Sequence, residues 1–139
     1  MEIKQDGARQ EKLRNVLLLL VRLGLWGDRE EHNTRLNLTE EDWNEVFRLA
    51  MQHTVTGLAF QGVSHLPDSQ IPPQSLLVRW MAETDAVERR NRKMNGVLGQ
   101  LYNIFHEKGL NPILQKGQGV ANYYESPLLR VCGDIDPVF

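Results

Sequence analysis

The 139-residue sequence has a single cysteine, Cys132, so an internal disulfide is excluded. No set of Cys and His has the spacing of a structural zinc site. A charge excess is also missing: 16 Lys and Arg stand against 18 Asp and Glu, a formal net charge of −2. That balance disfavours a protein that works by coating nucleic acid or an anionic membrane. Long hydrophobic runs are absent. The stretch Val16 to Val21 is broken by Arg22, and a membrane span needs about 20 apolar residues. The polar start, Met1 to Lys12, and the lack of a small-residue cleavage site lead us to expect no secretory signal. Internal repeats and low-complexity tracts are missing too. What is present, 41% hydrophobic and 24% charged residues, is ordinary for a folded chain. The expectation is a soluble, cytoplasmic protein.

The first ~110 residues read as helical. A helix over Glu11 to Trp26 carries apolar residues nearly all round its middle and is expected deep in a bundle, with Gly27-Asp28 ending it. Residues 28–38 read as a polar loop. Thr39 suits an N-cap, with Glu40, Glu41 and Asp42 at the positive helix end. Trp43, Val46, Phe47, Ala50 and Met51 then recur at helical steps. Thr54 to Gly57 breaks the pattern, and a second short helix carries Leu58, Ala59, Val63 and Leu66. A turn-rich connector, 67–73, leads into a long helix from Pro73 to Lys108, stopped by Gly109. At 1.5 Å per residue it would be about 54 Å long. Trp80, Thr84, Val87, Asn91, Met94, Leu98, Leu101 and Phe105 form a heptad-like seam. Packing against the earlier helices and self-association of the long helix both fit it, and Thr84 and Asn91 would specify register. Arg89, Arg90, Arg92 and Lys93 make a small basic cluster, either a solvated face or a patch for phosphate.

After Gly109 the pattern changes. Leu110 to Leu114 reads as a short buried strand and Lys116-Gly117-Gln118-Gly119 as a turn into a short helix, Val120 to Glu125. Asp134-Ile135-Asp136 begins another strand. The fold class is therefore mainly α with a small β portion: a helical region, 1–110, then a strand–helix–strand piece, 111–139. Residues i and i+2 of a strand share a face, so Asp134 and Asp136 would stand side by side with Ile135 turned inward. Two adjacent carboxylates repel unless a cation sits between them. Oxygen ligands suit Mg²⁺, which takes one or two carboxylates plus substrate phosphates. A glycine turn opening a helix presents backbone amides to a phosphate, and Lys116 adds a point charge. In this order the elements describe a metal–nucleotide site.

Gln115-Lys116-Gly117, Tyr124, Pro127, Arg130 and Gly133-Asp134-Ile135-Asp136 resemble the signature of a bacterial family of uncharacterised nucleotidyltransferases, within the DNA polymerase beta-like nucleotidyltransferase superfamily. His53, Val55 and Gly57-Leu58 are similar to its early helical region, and Trp80 to Asn91 to its long helix. The resemblance implies a nucleotidyltransferase α/β fold and transfer of a nucleoside monophosphate from an NTP to an acceptor hydroxyl. It implies Asp134 and Asp136 as the catalytic, Mg²⁺-holding acids in a two-metal arrangement, and Gly117 and Gln118 on the triphosphate turn. Lys116 and Arg130 complete the nucleotide-binding set, although Arg130 could equally pair with the two aspartates.

Three departures from the superfamily pattern stand out. Gln118 occupies a position usually held by Gly or Ser. Pro137 follows Asp136 where an apolar strand residue is expected, and proline favours a strand edge or bulge. The superfamily's third carboxylate comes from a later strand, so this chain alone is expected to be a truncated start of the catalytic domain and inactive. The partners expected are an NTP, an acceptor of unassigned class, and further copies through exposed strand edges or the long helix. A non-enzymatic helical interaction module carrying a remnant of the fold is the alternative, and a nucleic-acid binder using Arg89 to Lys93 a third. His32, His53, His65 and His106 share no ligand spacing. His53 reads as a packing or capping residue before a base, and Cys132 as a small semi-buried residue before a reactive thiol. Trp26, Trp43 and Trp80 read as core. Tyr123 and Tyr124 pack the short helix or stack on a base.

Overall fold

A computed structural model describes residues 2–27 and 35–139, with side chains from residue 7 onward. The described residues form α1 (Glu2–Trp26), α2 (Glu40–Gln52), α3 (Thr56–Val63) and α4 (Gln74–Glu107), then β1 (Ile113–Leu114), α5 (Gln118–Ala121) and β2 (Pro137–Val138). Short 3₁₀ turns lie at Asp68–Gln70 and Pro127–Leu129. The fold is thus mainly helical, with one long helix and a two-stranded antiparallel sheet, as expected. None of the described helices is long and apolar enough to cross a membrane. His32 and Asp28 lie outside the described residues.

Local chemistry accounts for the helix ends. Thr39 caps α2: its Oγ1 accepts the Asp42 N–H at 3.2 Å, and Asp42 Oδ2 accepts the Thr39 N–H at 3.1 Å, a reciprocal capping box. The same carboxylate ties α2 to α1, because Arg9 Nε donates to Asp42 Oδ1 at 2.8 Å. Burial pushes the Asp42 carboxyl up, but the bonds from Thr39 and Arg9 outweigh it and hold it below the usual carboxylate range. Gly27, at φ +70°, ends α1, and Thr54, at φ +57°, separates α2 from α3.

The core gathers Leu13, Val16, Leu17 and Leu20 of α1, Trp43, Val46, Phe47 and Ala50 of α2, Ala59 and Val63 of α3, and Leu76 and Trp80 of α4. Trp80 is its centre. The indole is fully buried, its Nε1–H donates to the Thr56 carbonyl at 2.9 Å, and Phe47 lies 5.2 Å away in a tilted contact. The tightest approach is between α1 and α3. A Cβ on Gly24 would run into the Leu58 carbonyl, and one on Gly62 into the Leu20 carbonyl. Each helix offers a glycine to the other's backbone, so the axes come closer than any side chain would allow.

Several expectations need correction. The helix α1 begins at Glu2, not Glu11, and is not buried all round. Leu18 is 66% exposed, because α2 and α3 cover one face only and position 18 points away from it. Trp26, at the end of the same helix, is also exposed and is not core; Met51, near the end of α2, is exposed as well. The segment Leu110 to Leu114 is buried only at Pro112: Leu114 is half-buried, and Ile113 is 73% exposed on a ladder covered on one side. The short helix is Gln118–Ala121, and β2 begins at Pro137 instead of Asp134. Thr84 and Asn91 bond within this chain: Thr84 Oγ1 donates to the Trp80 carbonyl, and Asn91 reaches the C-terminal segment.

Two outcomes follow for stability. Gly62→Ala should lower the unfolding free energy by about 2–3 kcal/mol through overpacking, whereas Gly96→Ala, in an open stretch of α4, should raise it by about 1 kcal/mol; denaturant titration distinguishes them. Asp42→Asn should cost about 1–2 kcal/mol at neutral pH. Since the folded carboxyl titrates below its unfolded value, that contribution is complete above the unfolded pKa and disappears as pH falls through the folded one. The gap between Asp42→Asn and the parent chain should therefore close in acid.

Candidate functional site

The C-terminal segment is anchored to the bundle by side chains of α4 and α3. Asn91, 3% exposed, donates from Nδ2 to the Leu128 and Arg130 carbonyls, both at 2.7 Å. One turn on, Met94 Sδ accepts from Gln118 Nε2 at 3.5 Å. Leu129 is buried and its backbone lies against Gly57 at the start of α3. At the far end of α4, Phe105 meets Phe139 edge to face with ring centres 5.1 Å apart.

On this support the strands pair antiparallel, Ile113 with Val138 and Leu114 with Pro137. The ladder continues where the Gln115 N–H donates to the Asp136 carbonyl at 3.3 Å. Pro137 sits in β2 opposite Leu114, at a ladder two residues long, which accommodates its missing N–H. The chain between the strands turns sharply at Gly117, whose φ of +57° and ψ of −117° suit glycine. The Gly119 N–H donates to the Lys116 carbonyl and the Ala121 N–H to the Gly117 carbonyl, which starts α5.

The residues singled out by sequence converge here. Gly117 Cα faces the Asp134 backbone, close enough that a Cβ would lie 3.5 Å from the Asp134 carbonyl oxygen. Asp134 and Asp136 are exposed and alternate with half-buried Ile135, so the alternation expected of a strand persists although the ladder starts at Pro137. Lys116 Nζ lies 3.9 Å from Asp136 Oδ2. Arg130 Nη1 donates to the Gly117 carbonyl at 3.4 Å and contacts Cys132 Sγ at 3.5 Å. The Cys132 contact raises the pKa of Arg130, burial lowers it, Tyr124 raises it, and the net shift is upward. The side chain of Gln118 is turned inward: it is 6% exposed, and its Oε1 has no donor among the described residues.

Other candidates are dispersed. His53 caps the end of α2. His106 Nδ1 lies 3.3 Å from Asn111 Oδ1 on the surface. Arg92 pairs with Glu88 at 3.5 Å. Tyr123 is 90% exposed and does not pack its helix on the sheet. Among the described residues, no three His, Cys, Asp or Glu side chains gather as a metal-holding group; the acids of the site form a pair. Sequence reasoning missed the part played by Asn91. Its signal was a polar residue in an apolar seam, and that seam did not say which carbonyls it would meet.

The geometry yields one outcome at once. A Cβ on Gly119 would lie 2.8 Å from the Leu114 carbonyl. Gly119→Ala should therefore cost about 1–3 kcal/mol and speed amide exchange at Gln115. Gly133→Ala, with nothing within 4 Å, should leave that exchange unchanged.

The sequence model of a family described as an uncharacterised nucleotidyltransferase matches residues 39–139. No curated protein and no solved structure matches the chain.

Proposed function

Because this chain belongs to that family of uncharacterised nucleotidyltransferases, we propose that the turn Lys116–Gly119 and the pair Asp134 and Asp136 bind a magnesium–nucleoside triphosphate for transfer of a nucleoside monophosphate to an acceptor hydroxyl. Within that reading the chain is one of the bacterial, DNA polymerase beta-like nucleotidyltransferases. The observation that carries the proposal is the packing of the glycine turn on Asp134, with Lys116 Nζ 3.9 Å from Asp136.

The donor set fits Mg²⁺. Both carboxylates are exposed, hard oxygen donors two residues apart, and a cationic ammonium lies near one of them. Asp134 and Asp136 would hold the ion. When bound, Mg²⁺ supplies charge neutralisation at the triphosphate and the transferred phosphorus. Lys116, 71% exposed along its side chain, would supply a positive charge to the phosphates. Gly117 gives the turn its positive-φ conformation, and Gln118, the first residue of α5, would offer its N–H. Arg130 braces the Gly117 carbonyl and adds positive charge beneath the turn.

Calorimetric titration of the chain with ATP, CTP, GTP and UTP in millimolar Mg²⁺ tests this. Heat of binding is expected for at least one NTP, lost on chelation of Mg²⁺. Asp134→Ala and Asp136→Ala should each weaken it by about tenfold or more. Absence of heat in folded chain would overturn the proposal in favour of a non-enzymatic helical module.

A further inference from the structure

We propose that Asn91 is a positioning residue for the nucleotide site, acting through Arg130 on the Gly117 turn; this rests on the nucleotidyl-transfer reading above.

The carboxamide sits midway along α4 and is 3% exposed. A carboxamide nitrogen has two donors, and here both carbonyls it serves lie on one short segment, at Leu128 and Arg130, each at 2.7 Å. Those carbonyls take their position from a 34-residue helix instead of from the loop. Arg130 then passes the constraint on. Its carbonyl is held by Asn91, and its Nη1 donates to the Gly117 carbonyl at 3.4 Å. The same carbonyl of Gly117 accepts the Ala121 N–H at 3.0 Å, so it sits where the turn becomes α5. Cys132 closes the circuit: Sγ receives Arg130 Nη1 and donates to the Arg130 carbonyl, both at 3.5 Å. From the same face of α4, Met94 receives Gln118. One helix thus reaches both the glycine turn and the segment that leads to Asp134.

A merely structural asparagine would stabilise the chain without setting the turn. Asn91→Asp is nearly isosteric but turns an acceptor toward two carbonyls, and Asn91→Ser keeps a single donor. Three readouts separate the roles: calorimetric affinity for whichever Mg²⁺-NTP gives heat with the unaltered chain, alkylation rate of Cys132, and fluorescence-monitored unfolding of the tryptophans. The unaltered chain is expected to bind at least one of the four Mg²⁺-NTPs. Asn91→Asp should weaken that binding by about tenfold or more and speed Cys132 alkylation by about tenfold under conditions where the tryptophan signal remains native. Asn91→Ser should lie between, and it decides the matter should Asn91→Asp fail to fold. Unchanged Cys132 alkylation in a folded variant overturns the relay. Faster alkylation with undiminished nucleotide affinity overturns the positioning role. If the unaltered chain binds none of the four Mg²⁺-NTPs, the functional reading falls first, and the role of Asn91 with it. If Asp134→Ala weakens binding while the Asn91 variants do not, only the Asn91 proposal falls.

Discussion

The carboxamide of Asn91 joins two kinds of structure. Upstream of it, α4 is one wall of an apolar bundle centred on Trp80. Downstream, the chain has short elements with exposed faces. Two strands of two residues each bury too little to hold themselves together. The carbonyls of Leu128 and Arg130 meet a buried donor at the last fully buried position of α4. A buried carbonyl left without a donor costs about 1–3 kcal/mol, and the Arg130 carbonyl would keep only the Cys132 thiol. The polar residue in the seam is therefore a requirement of the fold, and Leu129 adds apolar anchorage beside it.

The helical part was legible because its signals are local. Thr39 with the acids after it, the steps of Trp43, Val46 and Phe47, and Gly27 and Gly109 each act within a few residues. Hence α2 and α4 fall within one or two residues of their expected bounds. What escaped depends on the neighbour. Leu18 is apolar yet exposed, because only the number of packed helices decides how many faces of α1 are covered. Gly24 and Gly62 are unremarkable letters until α1 and α3 cross at them. The ladder was displaced because Pro137 pairs with Leu114 while Asp134 and Asp136 remain in extended chain before it.

For the candidate site, the order of elements was readable and the spatial result was not. Strand, glycine turn and acidic pair lie along the sequence as expected, and the fold brings Gly117 against Asp134. The inward turn of Gln118 was invisible. A side chain at that position could face phosphate or helix, and Met94 with the surrounding burial decides for the helix. Arg130 presents a similar choice between phosphate and backbone. Its guanidinium already serves the Gly117 carbonyl, so its first role is to hold the turn.

Gly96 and Gly99 give α4 a mechanical character. Both lie in the stretch between Asn91 and Phe105, with open space around each. A helix is most compliant where glycines interrupt its side-chain cover. The two attachments of the C-terminal segment straddle this soft stretch: Asn91 and Met94 on one side, Phe105 against Phe139 on the other. Flexure there would tilt the strand ladder relative to the Arg130 segment while leaving the bundle still. The long helix is thus both a rigid mount for one half of the segment and a leaf spring for the other.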